Sequence, residues 1–113
     1  MHEISLVENM MEVVRRVATD HKMLEVRVIR LELGPLLQVQ PELFDAAFQA
    51  LREGTAMSQA RLEITRQEII LGCSQCQQEF TKESHGFACP HCGSFLTEIR
   101  QGRDLIIQSI EGE

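Results

Sequence analysis

Three patterns predict an α/β fold of the α+β kind: a small three-stranded sheet with two helices, plus an inserted zinc-ribbon-like module. Two segments place apolar residues at helical spacing, Val7, Met10, Met11, Val14, Val17 and Ala18 in one, Leu43, Phe44, Ala47, Phe48 and Leu51 in the other. Three segments, near 24–33, 61–71 and 104–111, carry strand-like patterns. Between the last two lie Cys73, Cys76, Cys89 and Cys92, as C-S-Q-C and C-P-H-C with twelve residues between the pairs. Two such turns present four sulfurs to one tetrahedral ion.

The first helix is expected over 5–20, opened by Ser5-Leu6-Val7-Glu8, a capping-box pattern in which Ser5 and Glu8 would each satisfy a free backbone amide. In the first strand Leu24, Val26 and Val28 alternate with charge before the phase slips to Ile29, Leu31 and Leu33, which fits a bulge or a strand buried on both faces. Gly34-Pro35 ends it. Pro41 suits a first helical position and Gly54 a stop, so the second helix is placed at 41–53. The strand at 61–71 also slips phase, from Leu62 and Ile64 to Ile69 and Leu71. The last strand, with Leu105, Ile106, Ile107 and Ile110, would expose an apolar edge alone and is expected to pair with the first sheet. The chain thus divides into 1–71, completed by 104–111, and a metal module at 72–100 with hinges at Leu71-Gly72 and near Gln101-Gly102.

The 113 residues suit one domain, or one domain and a metal-stapled module, and 43% hydrophobic content excludes wholesale disorder. A net charge of −6 with scattered Lys and Arg argues against a nucleic-acid partner. No apolar run reaches membrane-spanning length, and the start lacks a signal-peptide pattern. A cytoplasmic location is expected, where paired thiols serve as metal ligands more than as disulfides.

Four thiolates suit a closed Zn(II) site, with Pro90 and Gly93 shaping the second turn. The same turn resembles the iron turn of rubredoxins, although Gln77 follows the first pair where a glycine would be expected. His85 and His91 fall in the module as exposed or neighbouring groups, not ligands. The start, Met1-His2-Glu3, offers a free amine, an imidazole and a carboxylate within three residues. Amine, His2 backbone nitrogen and imidazole close fused chelate rings that favour Ni(II) or Cu(II).

Taken in order, Met1-His2-Glu3-Ile4-Ser5-Leu6, Leu31-Glu32-Leu33-Gly34, Pro41-Glu42-Leu43 with Phe44 and Phe48, Gly54-Thr55, the four cysteines and Ser109-Ile110-Glu111 resemble the HypA/HybF family. These are nickel chaperones of nickel-iron hydrogenase maturation. The resemblance spans essentially the whole chain. It implies that Met1, His2 and Glu3 bind the transported Ni(II), that Cys73, Cys76, Cys89 and Cys92 hold structural Zn(II), and that the partners are a maturation GTPase and a hydrogenase large subunit. It leaves monomer and homodimer open. Gln40 stands where many members carry an acidic residue, and Pro35-Leu36-Leu37 replaces a more polar stretch.

The expected function is therefore binding and delivery, without catalysis. No nucleophile-base pairing and no glycine-rich phosphate loop stands in the chain. The alternative is a zinc-ribbon interaction or transcription-associated protein, which would be indifferent to His2; rubredoxin-like electron transfer would require iron.

Overall fold

The computed structural model describes residues 2–82 and 86–113, without the side chain of His2. Its elements are α1 (His2–Asp20), β1 (Val26–Leu33), a 3-10 turn (Pro35–Leu37), α2 (Pro41–Leu51), β2 (Arg61–Arg66), β3 (Ile70–Cys73), β4 (Glu79–Thr81), β5 (Thr97–Gln101) and β6 (Leu105–Gly112). They form two three-stranded sheets, ordered β2-β1-β6 and β4-β3-β5. The chain falls into two compact units, one of 1–32, 39–65 and 106–113, the other of 33–38 and 66–105.

In the first unit α1 packs against α2. Val7, Met10, Val14 and Ala18 give α1 its buried stripe, and Phe44 and Phe48 are fully buried on α2. Burying those two rings contributes about 2–3 kcal/mol each. Pro41 opens α2 at its first turn, as its missing N–H and fixed φ favour. The helix ends at Leu51, two residues short of expectation, and Gly54 turns the chain at φ 76°.

Helix α1 starts earlier than the capping-box pattern suggested. Ser5 lies inside the helix, and Glu3 is an acidic residue in the first turn, where the positive end of the helix dipole stabilises a carboxylate. No Pro or Gly stands among residues 2–5 to stop propagation toward the N-terminus.

Strand β1 is central, and its buried residues change phase where the sequence slips, with Val28 and Ile29 both buried. Strand β6 flanks it as expected. Arg30 of β1 reaches Glu63 of β2 at 2.9 Å and also bonds Glu111 of β6, so one guanidinium spans three strands.

The expected strand at 61–71 is two strands in different sheets. It breaks at Gln67, a buried residue whose N–H bonds the carbonyl of Leu33. Residues Leu71 and Gly72 are accordingly not a hinge. They lie in β3, where Leu71 pairs with Phe80 on one side and Ile99 on the other. Among the described residues no helix is long and apolar enough to cross a membrane.

Candidate metal centre

Strand β3 runs directly into the first cysteine turn, and β5 leaves the second. Each turn is closed by the same pair of backbone bonds. Gln77 N–H donates to the Cys73 carbonyl and Cys73 N–H to that of Gln78, at 2.9 Å each. In the second turn Gly93 N–H donates to the Cys89 carbonyl at 2.8 Å and Cys89 N–H to that of Ser94 at 2.9 Å. Residue five of each turn takes a left-handed conformation, Gln77 at φ 65° and Gly93 at φ 76°. Amides also point at sulfur: Cys76 N–H at Cys73 Sγ (3.5 Å) and His91 N–H at Cys89 Sγ (3.4 Å). Such bonds stabilise thiolate over thiol.

The four Sγ atoms lie within 4.8 Å of one another. Cys73 and Cys92 are 3.6 Å apart, Cys76 and Cys89 3.5 Å. A tetrahedron with metal–sulfur bonds of about 2.3 Å has edges of about 3.8 Å. The donor set therefore fits a four-thiolate ion, while every pair is too far apart to be a disulfide. Without metal these thiols share protons unequally. The Cys76 amide, helped by that of Gln75 and by neighbouring thiols, holds Cys73 down to about 7 against burial. At Cys76 the Gln78 amide pulls the other way, but burial and the surrounding thiols prevail and push it up to about 12. Four like charges cannot gather here unless a cation compensates them.

Few large apolar groups support this unit. Its cluster is Leu71 and Phe80 with Cys73 and Cys89, edged by Cys76 and Ile99. So small a core requires metal binding to supply much of the folding free energy. Hydroxyl braces that sequence reasoning missed secure the turns: Ser74 Oγ donates to the Leu96 carbonyl at 2.6 Å and Thr97 Oγ1 to that of Phe87 at 2.8 Å. Their only signal was polar residues beside the turns. Arg100 lies over Gly72, where a Cβ would collide with its guanidinium, and pairs with Glu79 at 2.9 Å.

Of the other expected residues, His91 is exposed beside the cysteines, and His85 lies outside the described residues. Met1 does too. His2 and Glu3 occupy the first turn of α1, in the other unit from the cysteines.

The family model for "Hydrogenase/urease nickel incorporation, metallochaperone, hypA" matches residues 1–112. A hydrogenase maturation factor HypA of Aquifex aeolicus is 32% identical over 113 residues, all of this chain and 98% of its own. One from Rhodopseudomonas palustris is 34% identical over 111 residues, 98% of each chain. The solution structure of the Ni metallochaperone HypA from Helicobacter pylori superposes with a TM-score of 0.82, covering 99% of this chain and 97% of that one. At 24% identity that likeness bears on the fold alone. A family match over 112 of 113 residues leaves one conclusion: the chain belongs to the HypA family of nickel-incorporation metallochaperones.

Proposed function

We propose that this chain binds Ni(II) through Met1, His2 and Glu3 and delivers it for assembly of the nickel-iron hydrogenase active site, while Cys73, Cys76, Cys89 and Cys92 hold a structural Zn(II). The whole-chain family match carries this reading. Its acceptor is the hydrogenase large subunit and its working partner a maturation GTPase, in the cytoplasm; the relatives named as hydrogenase maturation factors support a role in hydrogenase maturation.

The local chemistry supports it further. The first four amides of an α-helix have no intrahelical acceptor. With α1 beginning at His2, the amides of His2 and Glu3 fall in that class and are free to face an ion. The positive helix end repels a bare cation but favours an anionic ligand, so a deprotonated amide nitrogen and the Glu3 carboxylate are stabilised where they are needed. Nitrogen ligands with added carboxylate oxygen suit Ni(II). Three ligands from adjacent residues can exchange one at a time against those of an acceptor.

Calorimetric titration of zinc-loaded protein with Ni(II) tests the proposal. His2→Ala and His2→Gln abolish nickel uptake and leave zinc content and fold intact; Gln keeps a polar side chain but removes the imidazole. Unchanged uptake in both variants would move the site away from His2. X-ray absorption at the zinc edge should find four sulfurs; iron, or nitrogen and oxygen ligands, would refute the zinc assignment.

A further inference from the structure

The four cysteines are chemically alike but unequally placed. Cys73 and Cys89 are buried, Cys76 is half-buried, and Cys92 alone is exposed. Its neighbours Pro90, His91 and Gly93 are exposed as well, so the second turn faces solvent around Cys92. Cys73 Sγ lies 3.6 Å from Cys92 Sγ. Cys73 is fixed at the end of β3, where it pairs with Thr97 of β5. A reagent from solution reaches Cys92 first, and a buried sulfur stands ready beside it.

We infer that Cys92 is an oxidation site through which peroxide opens the metal centre, with Cys73 as its resolving thiol. The inference rests on the zinc reading above. Hydrogen peroxide, the oxidant, loses its O–O bond as the Cys92 thiolate sulfur takes one oxygen. With one proton the products are the Cys92 sulfenic acid and water. The Cys73 thiolate then attacks that sulfur, the S–S bond forms, and the displaced hydroxyl leaves as a second water with another proton. Two electrons pass from the sulfurs to the peroxide. Closing from 3.6 Å to about 2.0 Å moves the exposed second turn, not β3. The ion is left with Cys76 and Cys89, too few ligands to hold it, and is released. A second equivalent joins these two, already 3.5 Å apart.

The test uses the full zinc-loaded chain. Zinc content is measured first, then one equivalent of hydrogen peroxide is added, released zinc is followed with a chromogenic chelator, and free thiols are blocked for disulfide mapping by mass spectrometry. The expected first product is Cys73–Cys92 cross-linked, with zinc released in step. Substoichiometric iodoacetamide on the unoxidised protein should label Cys92 before the other three. Cys92→His keeps a fourth ligand and should slow peroxide-driven zinc release at least about tenfold. A first disulfide within either turn, or between Cys76 and Cys89, overturns the inference, as does unchanged release from Cys92→His. A chain that holds no zinc before peroxide is added refutes the zinc reading itself and this inference with it.

Discussion

Gln77 and Gly93 occupy the same place in the two cysteine turns, four residues after the first sulfur, and both are left-handed, at φ 65° and 76°. Glycine adopts this conformation freely, whereas a residue with a Cβ is strained by roughly 1–2 kcal/mol. The first turn tolerates that strain because Gln77 N–H closes it onto Cys73, and its side-chain Nε2 donates to the Ser74 carbonyl at 3.1 Å.

The asymmetry predicts opposite responses to substitution. Gly93→Ala meets no steric obstacle, so its cost is backbone strain alone, about 1 kcal/mol. Gln77→Gly relieves that strain, less about 0.5–1 kcal/mol for the flexibility of unfolded glycine, and should leave the zinc unit slightly more stable. Chelator competition on the zinc-loaded variants measures both. Loss of stability in Gln77→Gly would mean that its side-chain bond outweighs the strain.

The second prediction concerns β6. Its residues Ile107 and Ile110 are half-buried, and it flanks β1 in the first sheet. Truncation after Arg103 turns β1 into an edge, uncovers apolar surface and removes Glu111 from Arg30. The cost should reach at least about 3 kcal/mol from burial alone. In a unit of this size that lowers the melting temperature by more than about 10 °C. Unchanged melting would show β6 to be dispensable.

Arg30 also sets a pH response. Arg61 first, then Arg30, hold the Glu63 carboxyl below its ordinary value of 4.5. On acidification the unfolded chain therefore takes up this proton before the folded one does. The stabilisation is complete above about pH 4.5 and lost as pH falls through the folded value. The pair is solvent-exposed, so the effect on stability is small. Carbon-detected NMR of the Glu63 carboxyl should show the depressed midpoint, and Arg30→Met should move it partway back toward 4.5. An Arg30→Met midpoint equal to wild type would leave Arg61 as the sole cause.

Both helices and the four sulfurs were legible because their signals are local. A period of 3.6 residues exposes Val7, Met10, Val14 and Ala18 as one stripe, and the C-x-x-C spacing alone brings the thiols to one point. The break within 61–71 was not legible, because what ends β2 is remote in sequence. Gln67 bonds Leu33, and the carbonyl of Glu68 accepts from Gln101. The start of α1 was misplaced because a capping box is one option for a helix and not a command; nothing upstream of Ser5 resists helix formation. That Cys92 alone among the cysteines is exposed depends on how the turns pack, which spacing does not encode.

The last prediction tests the place of the Met1 amine in the proposed Ni(II) site. If Ni(II) is held by the Met1 amine together with the His2 amide and imidazole, the chelate rings depend on the amine standing one residue before His2. Adding a single Gly before Met1 keeps every side chain but moves the amine one peptide unit away, replacing a basic amine at that position with a weakly basic amide. Nickel affinity should fall by at least about tenfold, equivalent to about 1.4 kcal/mol. Zinc content should be unchanged, because the cysteines lie in the other unit. Acid should release nickel from the unextended protein, since protons compete for the amine and imidazole lone pairs. Titrating zinc-loaded extended and unextended chains with Ni(II) side by side decides the matter. Equal affinity would show that His2 acts without the amine, and would move the missing ligand to another residue.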